Sequence, residues 1–497
     1  IVMVKLFVKW GKKKFEVDAD LNESPLLFKS QLFALSGVSP ERQKVVIKGK
    51  TLGDEKWDGI AVSDGLLIMM MGSATEIPKP PENLGEDNVL NEMGEKPVPL
   101  PVGLKNLGNT CYMNSVLQAL KSVPVLKEAV NAYSPPANAT GPAFQMASQF
   151  RNLVRDLDNG KRGPDDAVLP VNMLQALHAI LPQFSTRSPD GHLQQQDANE
   201  CFCEMQRLVL DGLRQSTPNG NVPLSEFFRG RYAVSLKNKE VDDEPVQKTT
   251  EDFYQLSCFL SQEVKYLQTG IKEKMCEEIE KKSTVVERDC KYEKKALISR
   301  LPAFLSIQMV RFFYKQSAAV NAKILKDVKF PMVLDLFDMC TPELQEKLTA
   351  NRGQFKLMED AKIEKMRAAK QEGKDVKKAE EELADEQNAL PFSFDEDPGS
   401  NNSGFYELQA VITHKGRSSD SGHYVAWVKT KGDNWAMCDD DEVHPVTAEQ
   451  ILKLSGGGDW HCAYVLVYGP RRSYKVDRVE ESVGTEVENM DTTSVTN

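Results

Sequence analysis

The 497-residue chain contains no uninterrupted apolar run approaching about 18 residues, so nothing in it reads as a membrane-spanning helix. Its start shows no signal-peptide h-region. Positive charge is in deficit, with 62 Lys and Arg against 73 Asp and Glu and a net charge of −11. That disfavours nucleic acid and anionic membrane as partners and favours a basic macromolecule or peptide. Paired CxxC elements are missing, and among nine cysteines only Cys201 and Cys203 stand close, as CxC. No metal site is therefore expected, and no cofactor. An odd, scattered set of cysteines without framework spacing fits a compartment that keeps thiols reduced, which predicts a soluble intracellular protein. An apolar content of 40% and a charged content of 27% suit a globular chain with some solvated segments.

What is present is organised around Gly103 to Leu120, GLKNLGNTCYMNSVLQAL. Gly103 and Gly108 punctuate a loop, and Met113, Val116, Leu117 and Leu120 then recur at helical spacing behind Asn109 or Thr110 as N-cap. The spacing predicts an amphipathic helix with Cys111 in its first turn, where unpaired N–H groups and the dipole favour thiolate. Taken alone, Cys111 also reads as a small buried hydrophobe. Asn106, five residues upstream, adds an amide that could serve an oxyanion.

Along the chain, Val4–Val8 and Phe15–Val17 read as a hairpin, and Ser24-Pro25 opens a helix to Gly37. Strands follow at Lys44–Ile47 and Leu66–Met71, which is the order of a β-grasp domain spanning 1–74. Proline and acidic residues over 75–101 predict a flexible linker. From 102 to 470 a large α+β domain is expected. Its helices are placed at Lys127–Tyr133, Phe144–Leu157, Val171–Ile180 and Ala198–Leu210, the last behind Gln195-Gln196-Asp197. Alternation from Arg229 to Val286 predicts an antiparallel extension, and Leu301–Phe312 a core strand. Residues 342–402 read as a charged insertion, with Leu357–Glu386 a solvated helix or hairpin and Asp395–Asn402 disordered. The tail 471–497 also reads as disordered.

Chemistry returns at Tyr406–Ile412, His423–Val428 and Trp435–Met437, three strand patterns that place His423 at a loop-to-strand junction and Asp439 just past a strand end. Alone, His423 is an ordinary histidine and Asp439 part of a solvated turn. Together with Cys111 they give a nucleophile, a base and an orienting carboxylate in the chain order of a papain-like cysteine protease. The loop Lys415–Gly422 between them lacks apolar anchors, and is expected to lie across the substrate channel and move on binding.

Two resemblances sharpen this. VKLFVK, SPERQKVVIKGKTL and DGLLIMM resemble a ubiquitin-like domain, running on past Met71 so that it cannot itself be conjugated. The resemblance puts Val46 and Met69 on a receptor-facing surface, whereas the strand pattern alone leaves open that both pack inside the sheet. GLKNLGNTCYMNSVLQAL, QQDANE, GHY and the strand into Asp439 resemble the ubiquitin-specific protease family over 102–470, a papain-like fold of fingers-palm-thumb type. This implies that Cys111 attacks the carbonyl of ubiquitin's C-terminal glycine, His423 is base and acid, Asp439 holds the imidazole and Asn106 stabilises the oxyanion. It further implies that Gln195, Asp197 and Tyr424 line the channel for ubiquitin's tail.

With its ubiquitin-like domain, its acidic insertion and the ending Gly456-Gly457-Gly458-Asp459-Trp460-His461, the chain resembles the proteasome-associated subgroup of that family. This implies docking on the 26S proteasome regulatory particle and trimming of polyubiquitinated proteins, in the cytoplasm and, with the proteasome, the nucleus. A silent ubiquitin-binding scaffold would have lost Cys, His or Asp, and none is lost. A general papain-type hydrolase would carry a signal peptide and disulfides, and a shuttle receptor would not need the large domain.

Overall fold

Burial alternates along Leu66–Met71, with Ile68 and Met70 inside and Leu67, Met69 and Met71 outside, because successive strand residues face opposite sides. That strand belongs to the first of two compact units, Ile1–Pro97 and Val98–Asn497, seen in a computed structural model of the chain. Within 3–71 the structure describes all residues but 11–12, 22–23, 26–27, 30, 33–37, 39–42, 49, 54–55 and 58–61. Within 100–475 it describes all but 136–137, 161–165, 215–221, 262, 316–319, 372–388, 419–420 and 459. The expected linker and tail therefore lie almost wholly outside the described residues, as does most of the helix expected from Ser24 to Gly37.

In the first unit, β1 (Met3–Trp10), β2 (Lys13–Asp20), β3 (Lys44–Ile47), β4 (Lys50–Thr51) and β5 (Leu66–Met71) form one sheet in the order β2-β1-β5-β3-β4. The first and last strands run parallel, Leu6 opposite Leu66. Val4, Leu6, Val8, Val45, Ile47, Ile68 and Met70 fill the core. Val46 stands opposite Met69 across β3 and β5, half-buried beside a Met69 that is 55% exposed. The pair thus lies on the outer face of the sheet and not in its core.

The second unit opens with helices α1 (Cys111–Lys121), α2 (Pro124–Ala132), α3 (Pro142–Asn159), α4 (Val171–Ile180) and α5 (Ala198–Gly212). Buried Met146, Phe150, Leu153, Val154 and Leu157 give α3 one apolar stripe, which packs on α5. Next come β6 (Gly230–Asn238), β7 (Gln247–Phe253), β8 (Gln255–Phe259), α6 (Leu267–Lys272), β9 (Cys276–Lys282), β10 (Asp289–Arg300) and β11 (Leu305–Val310). The short ribbon β12 (Phe312–Lys315) and β13 (Val320–Lys323) and the strand β14 (Val333–Asp335) lead to α7 (Pro342–Gln371). The chain closes with β15 (Phe405–Ser418), β16 (Ser421–Lys429), β17 (Trp435–Asp439), β18 (Glu442–Val446), α8 (Ala448–Leu452) and β19 (Cys462–Pro470).

Two sheets result. Strands in the order β7-β6-β10-β9 make an antiparallel extension, and β18-β17-β16-β15-β19-β11-β8 with β14 make the central sheet. The central sheet is covered on both sides: Tyr424, Ala426 and Val428 of β16 face the helical core, while Val425 and Trp427 face a second core toward α6 to α8. That arrangement sets the ends of β16 and β17 beside α1, which packs directly on β16.

Three expectations change. The strand expected over Leu301–Phe312 is interrupted, since Pro302 donates no N–H and bridges instead to Ser400. In the expected insertion the first turns of α7, before Leu357, pack through Leu344, Leu348 and Phe355, with Arg352 paired to Asp335 and lying over Phe405, while from 357 to 368 the helix faces solvent as expected. Asp395–Asn402 is ordered, not disordered. Asp397 accepts from the guanidinium of buried Arg300, and Asn401, 1% exposed, accepts from Ser403 and Gly404 N–H and donates to Phe405 C=O. Side-chain to backbone bonds satisfy a segment whose polar composition otherwise suggests solvation.

Candidate active site

The loop before α1 is pinned to the far end of the central sheet. Leu104 N–H donates to Asp440 C=O at 2.8 Å, and a Cβ on Gly103 would meet the Asp441 carbonyl oxygen at 2.5 Å, so only glycine fits there. Lys105 pairs with Asp441 at 2.8 Å. Asn109 takes a left-handed φ of 52° and ties this loop to a second one through Nδ2 to Leu193 C=O, 2.7 Å. Thr110 occupies the N-cap position, but its hydroxyl accepts from Leu107 N–H, and no side chain caps the first turn of α1. The positive end of the helix is therefore presented at Cys111.

The helix is not amphipathic in place: every residue from Cys111 to Leu120 is buried. Its polar residues serve the loop instead. Gln118 donates to Val102 C=O at 2.8 Å and Asn114 Nδ2 to Asp440 Oδ1 at 2.8 Å. Amide donors paired this way can face a core, and of these two side chains Asn114 keeps one buried oxygen, Oδ1, without a hydrogen-bond partner.

Cys111, 3% exposed, receives hydrogen bonds on Sγ from Gln195 Nε2 at 3.1 Å and from Tyr424 N–H at 3.4 Å. His423, at the start of β16, hydrogen-bonds through Nε2 to Asp439 Oδ1 at the end of β17. The Asp439 bond, and after it a bond to Cys111, push the His423 imidazole up to about 10, favouring the imidazolium. Gly422 precedes it with φ 125°, and a Cβ there would lie 2.4 Å from Lys415 C=O and 2.6 Å from His414 Nε2. His414, buried and driven down to about 3 chiefly by that burial, hydrogen-bonds Ser421 C=O at 3.1 Å and so fixes the approach to His423. The segment expected as a loop across the channel is instead paired strand where it is described: 415–418 continue β15 and 421–422 open β16, with Lys415 opposite His423 and Ser418 opposite Ser421, while 419–420 lie outside the described residues.

The remaining expected residues fall around this centre. Asn106 donates through Nδ2 to Asp440 Oδ2 at 2.8 Å, while its Oδ1 accepts from Gly108 N–H at 2.9 Å. Asp197 caps α5, accepting from Asn199 N–H at 2.7 Å and Glu200 N–H at 3.0 Å on one oxygen and from Tyr464 OH at 2.6 Å on the other. The Tyr424 ring is buried against His414 and Tyr464, so its backbone rather than its ring meets Cys111. Sequence pattern does not single out Asp440, Asn114 or Tyr464. Asp440 has φ 53° and lies between two amides, and burial pushes its carboxyl up against their opposing pull. The available signals were the run Asp439-Asp440-Asp441 and a polar Asn114 one turn along the helix from Cys111.

Among the described residues, one trio of potential metal donors lies within 4.8 Å of one another, His423, Asp439 and Asp440. Its members already bond to each other or to the two asparagines. Chemically, a thiol at a helix start, an imidazole held by a carboxylate and two N–H donors converging on sulfur can perform acyl transfer through a thioester.

Comparison with known proteins agrees. Residues 102–468 match the family model described as ubiquitin carboxyl-terminal hydrolase. The chain is 44% identical over 469 residues to ubiquitin carboxyl-terminal hydrolase 14 of Caenorhabditis elegans, covering 93% of each chain. It is 38% identical over 491 residues to ubiquitin carboxyl-terminal hydrolase 6 of Arabidopsis thaliana, covering 94% of this chain and 99% of that one. With ubiquitin carboxyl-terminal hydrolase 6 of Schizosaccharomyces pombe it shares 35% identity over 480 residues, at 94% and 99% coverage. The chain belongs to the ubiquitin carboxyl-terminal hydrolase family, as a papain-like, cysteine-type deubiquitinase that follows a β-grasp unit of ubiquitin-like order.

Proposed function

We propose that Cys111, His423, Asp439 and Asn106 cleave the bond after ubiquitin's C-terminal glycine. The observation that carries this reading is one junction: the start of β16 supplies both His423, bonded to Asp439, and the Tyr424 N–H directed at the Cys111 sulfur. His423 takes the Cys111 thiol proton and, favouring the imidazolium, holds it for the leaving amine. Sulfur attacks the carbonyl carbon, the carbonyl electrons pass to oxygen, and the Asn106 amide, held by Asp440, donates to that oxyanion. Collapse expels the amine, which takes the His423 proton. Water, deprotonated by His423, then releases ubiquitin from the thioester.

Gln195, Asp197 and Tyr424 border the channel for ubiquitin's basic tail. Asp197 acts there through its charge and by fixing the end of α5, both oxygens being engaged. The first unit docks the enzyme on the proteasome regulatory particle through Met69 and Val46, where it trims polyubiquitinated proteins. Exposed Leu67 and Met71 beside Met69 support this, as an apolar strip on one strand is suited to a partner. No helix among the described residues is long and apolar enough to cross a membrane, in keeping with action where proteasomes work, in cytoplasm and nucleus.

The test is hydrolysis of a fluorogenic ubiquitin C-terminal amide by the full chain and by Cys111→Ala and His423→Ala, with and without purified proteasome. Loss of turnover in both variants is expected, and turnover in Cys111→Ala would refute the assignment. Met69→Asp should lower proteasome binding without changing turnover of the free enzyme; undiminished binding would remove that face from the docking site.

A further inference from the structure

The geometry points to Gln195 as a catalytic residue: its carboxamide N–H, bonded to the Cys111 sulfur at rest, donates to the oxyanion during the reaction, beside Asn106. This rests on Cys111 being the nucleophile. Gln195 Nε2 lies 3.1 Å from Cys111 Sγ, whereas the Asn106 amide that shares the loop with Cys111 is directed at Asp440. A thiol sulfur is a weak acceptor, and here the Gln195 amide and the Tyr424 N–H converge on it from a loop and from strand β16, with His423 nearby. Such a set of donors suits a thiolate. The oxyanion forms two bonds away from that sulfur, so a donor already within reach of sulfur meets it after a small rotation of the side chain.

Gln195 is also placed with little slack. Before it, Leu193 C=O accepts from Asn109 at 2.7 Å and Gln194 N–H donates to Thr186 C=O at 3.0 Å. After it, Gln196 Nε2 donates to Thr186 Oγ1 at 2.6 Å, and Asp197 is fixed by the α5 N–H groups and Tyr464. The nucleophile loop and the Gln195 loop are thus one assembly, joined by the Asn109 to Leu193 bond. Such pre-organisation leaves little to reorient when charge develops on oxygen. In the acylation step the sulfur–carbon bond forms as the carbonyl electron pair moves to oxygen, and Gln195 lends a hydrogen bond without transferring its proton. Reversal of that electron shift breaks the carbon–nitrogen bond, and the leaving amine takes the proton from His423.

The test compares the full chain with Gln195→Ala and Gln195→Glu in two assays. One is hydrolysis of the fluorogenic ubiquitin amide, resolved into kcat and KM. The other is labelling by a ubiquitin C-terminal propargylamide, whose capture by the thiol forms a vinyl thioether and no oxyanion. Gln195→Ala should lower kcat by about 100-fold, as for loss of one oxyanion donor, with KM and labelling rate within about threefold. Gln195→Glu, equal in shape but with a carboxylate by the sulfur, should lower kcat further and shift the acid limb of the kcat/KM profile to higher pH.

Retained kcat with raised KM, or hydrolysis and labelling falling in the same proportion, would overturn the assignment and leave Gln195 a lining residue of the channel. The propargyl adduct mapped to Cys111 shows that each variant folds and keeps its nucleophile. Hydrolysis by Cys111→Ala would overturn the underlying reading as well, whereas an inert Cys111→Ala with a fully active Gln195→Glu would overturn this inference alone.

Discussion

Two acidic runs in the chain, Asp395-Glu396-Asp397 and Asp439-Asp440-Asp441, look alike as sequence and do different work. Asp397 accepts both fork nitrogens of buried Arg300, whose other amino group donates to main-chain oxygens at Glu226 and Arg229. An arginine is charged at every accessible pH, so that carboxylate is a structural clamp. Asp439 instead meets His423, Asp440 meets two amides, and Asp441 meets the half-exposed Lys105. The partner sets the role: a titratable imidazole makes the neighbouring carboxylate part of proton transfer, an amide makes it a bracket, and a surface lysine makes it nearly neutral energetically.

Substitutions along the two runs should separate these roles. Asp439→Asn is expected to have the largest effect, lowering kcat/KM of ubiquitin-amide hydrolysis by about 100-fold or more, the scale of a lost acid–base contribution. Because Asp439 raises His423, the stability this pair lends is fully present below the unfolded value of 6.5 and is lost as pH rises through about 10. In the variant that high-pH dependence of thermal stability should disappear.

Asp440→Ala frees Asn106 and Asn114 together, and steady-state kinetics should show kcat lower by about tenfold, less than deleting an oxyanion donor outright. Asp397→Ala should leave kcat unchanged but cost about 2 kcal/mol in chemical denaturation, since it strips a buried guanidinium of its main partner. Lys105→Ala should change stability by about 0.5 kcal/mol or less and leave turnover intact, as for exposed ion pairs.

The tip of the antiparallel extension offers a third kind of carboxylate. Glu244 accepts from Asn238 at 2.6 Å, Ser283 at 2.7 Å and Tyr292 at 2.7 Å, joining the turn after β6 to the turn after β9. These bonds, that of Tyr292 first, hold its carboxyl below the usual range, so its contribution is present above 4.5 and fades as pH falls through the depressed value. Glu244→Gln should speed hydrogen exchange at 239–246 and 283–288 at neutral pH, with kcat unchanged.

Much of this was legible in the sequence. Short continuous apolar runs mark β5 and β16, and the glycine-rich loop before a helical period marks the start of α1. The loop-to-strand position of His423 and the strand end at Asp439 are equally visible. What stayed hidden depends on pairing across long separations. Asp440 matters because residues 106 and 114 reach it, and no local pattern distinguishes the three aspartates of that run. Asn401 and Ser400 read as solvated because Asn, Ser and Gly suit both a disordered segment and a turn closed by its own side chains. The burial of Asn114 and Gln118 on all sides of α1 follows from carbonyls of a loop folded back on it, which periodicity cannot register.

The most direct test of the catalytic assignment is the pH dependence of kcat/KM for ubiquitin-amide hydrolysis in the full chain and in Asp439→Asn. An imidazolium held by Asp439 requires a basic limb close to 10 in the native enzyme, moved toward the ordinary histidine value of 6.5 once the carboxylate is gone. A basic limb that stays in the same place in both proteins would contradict it.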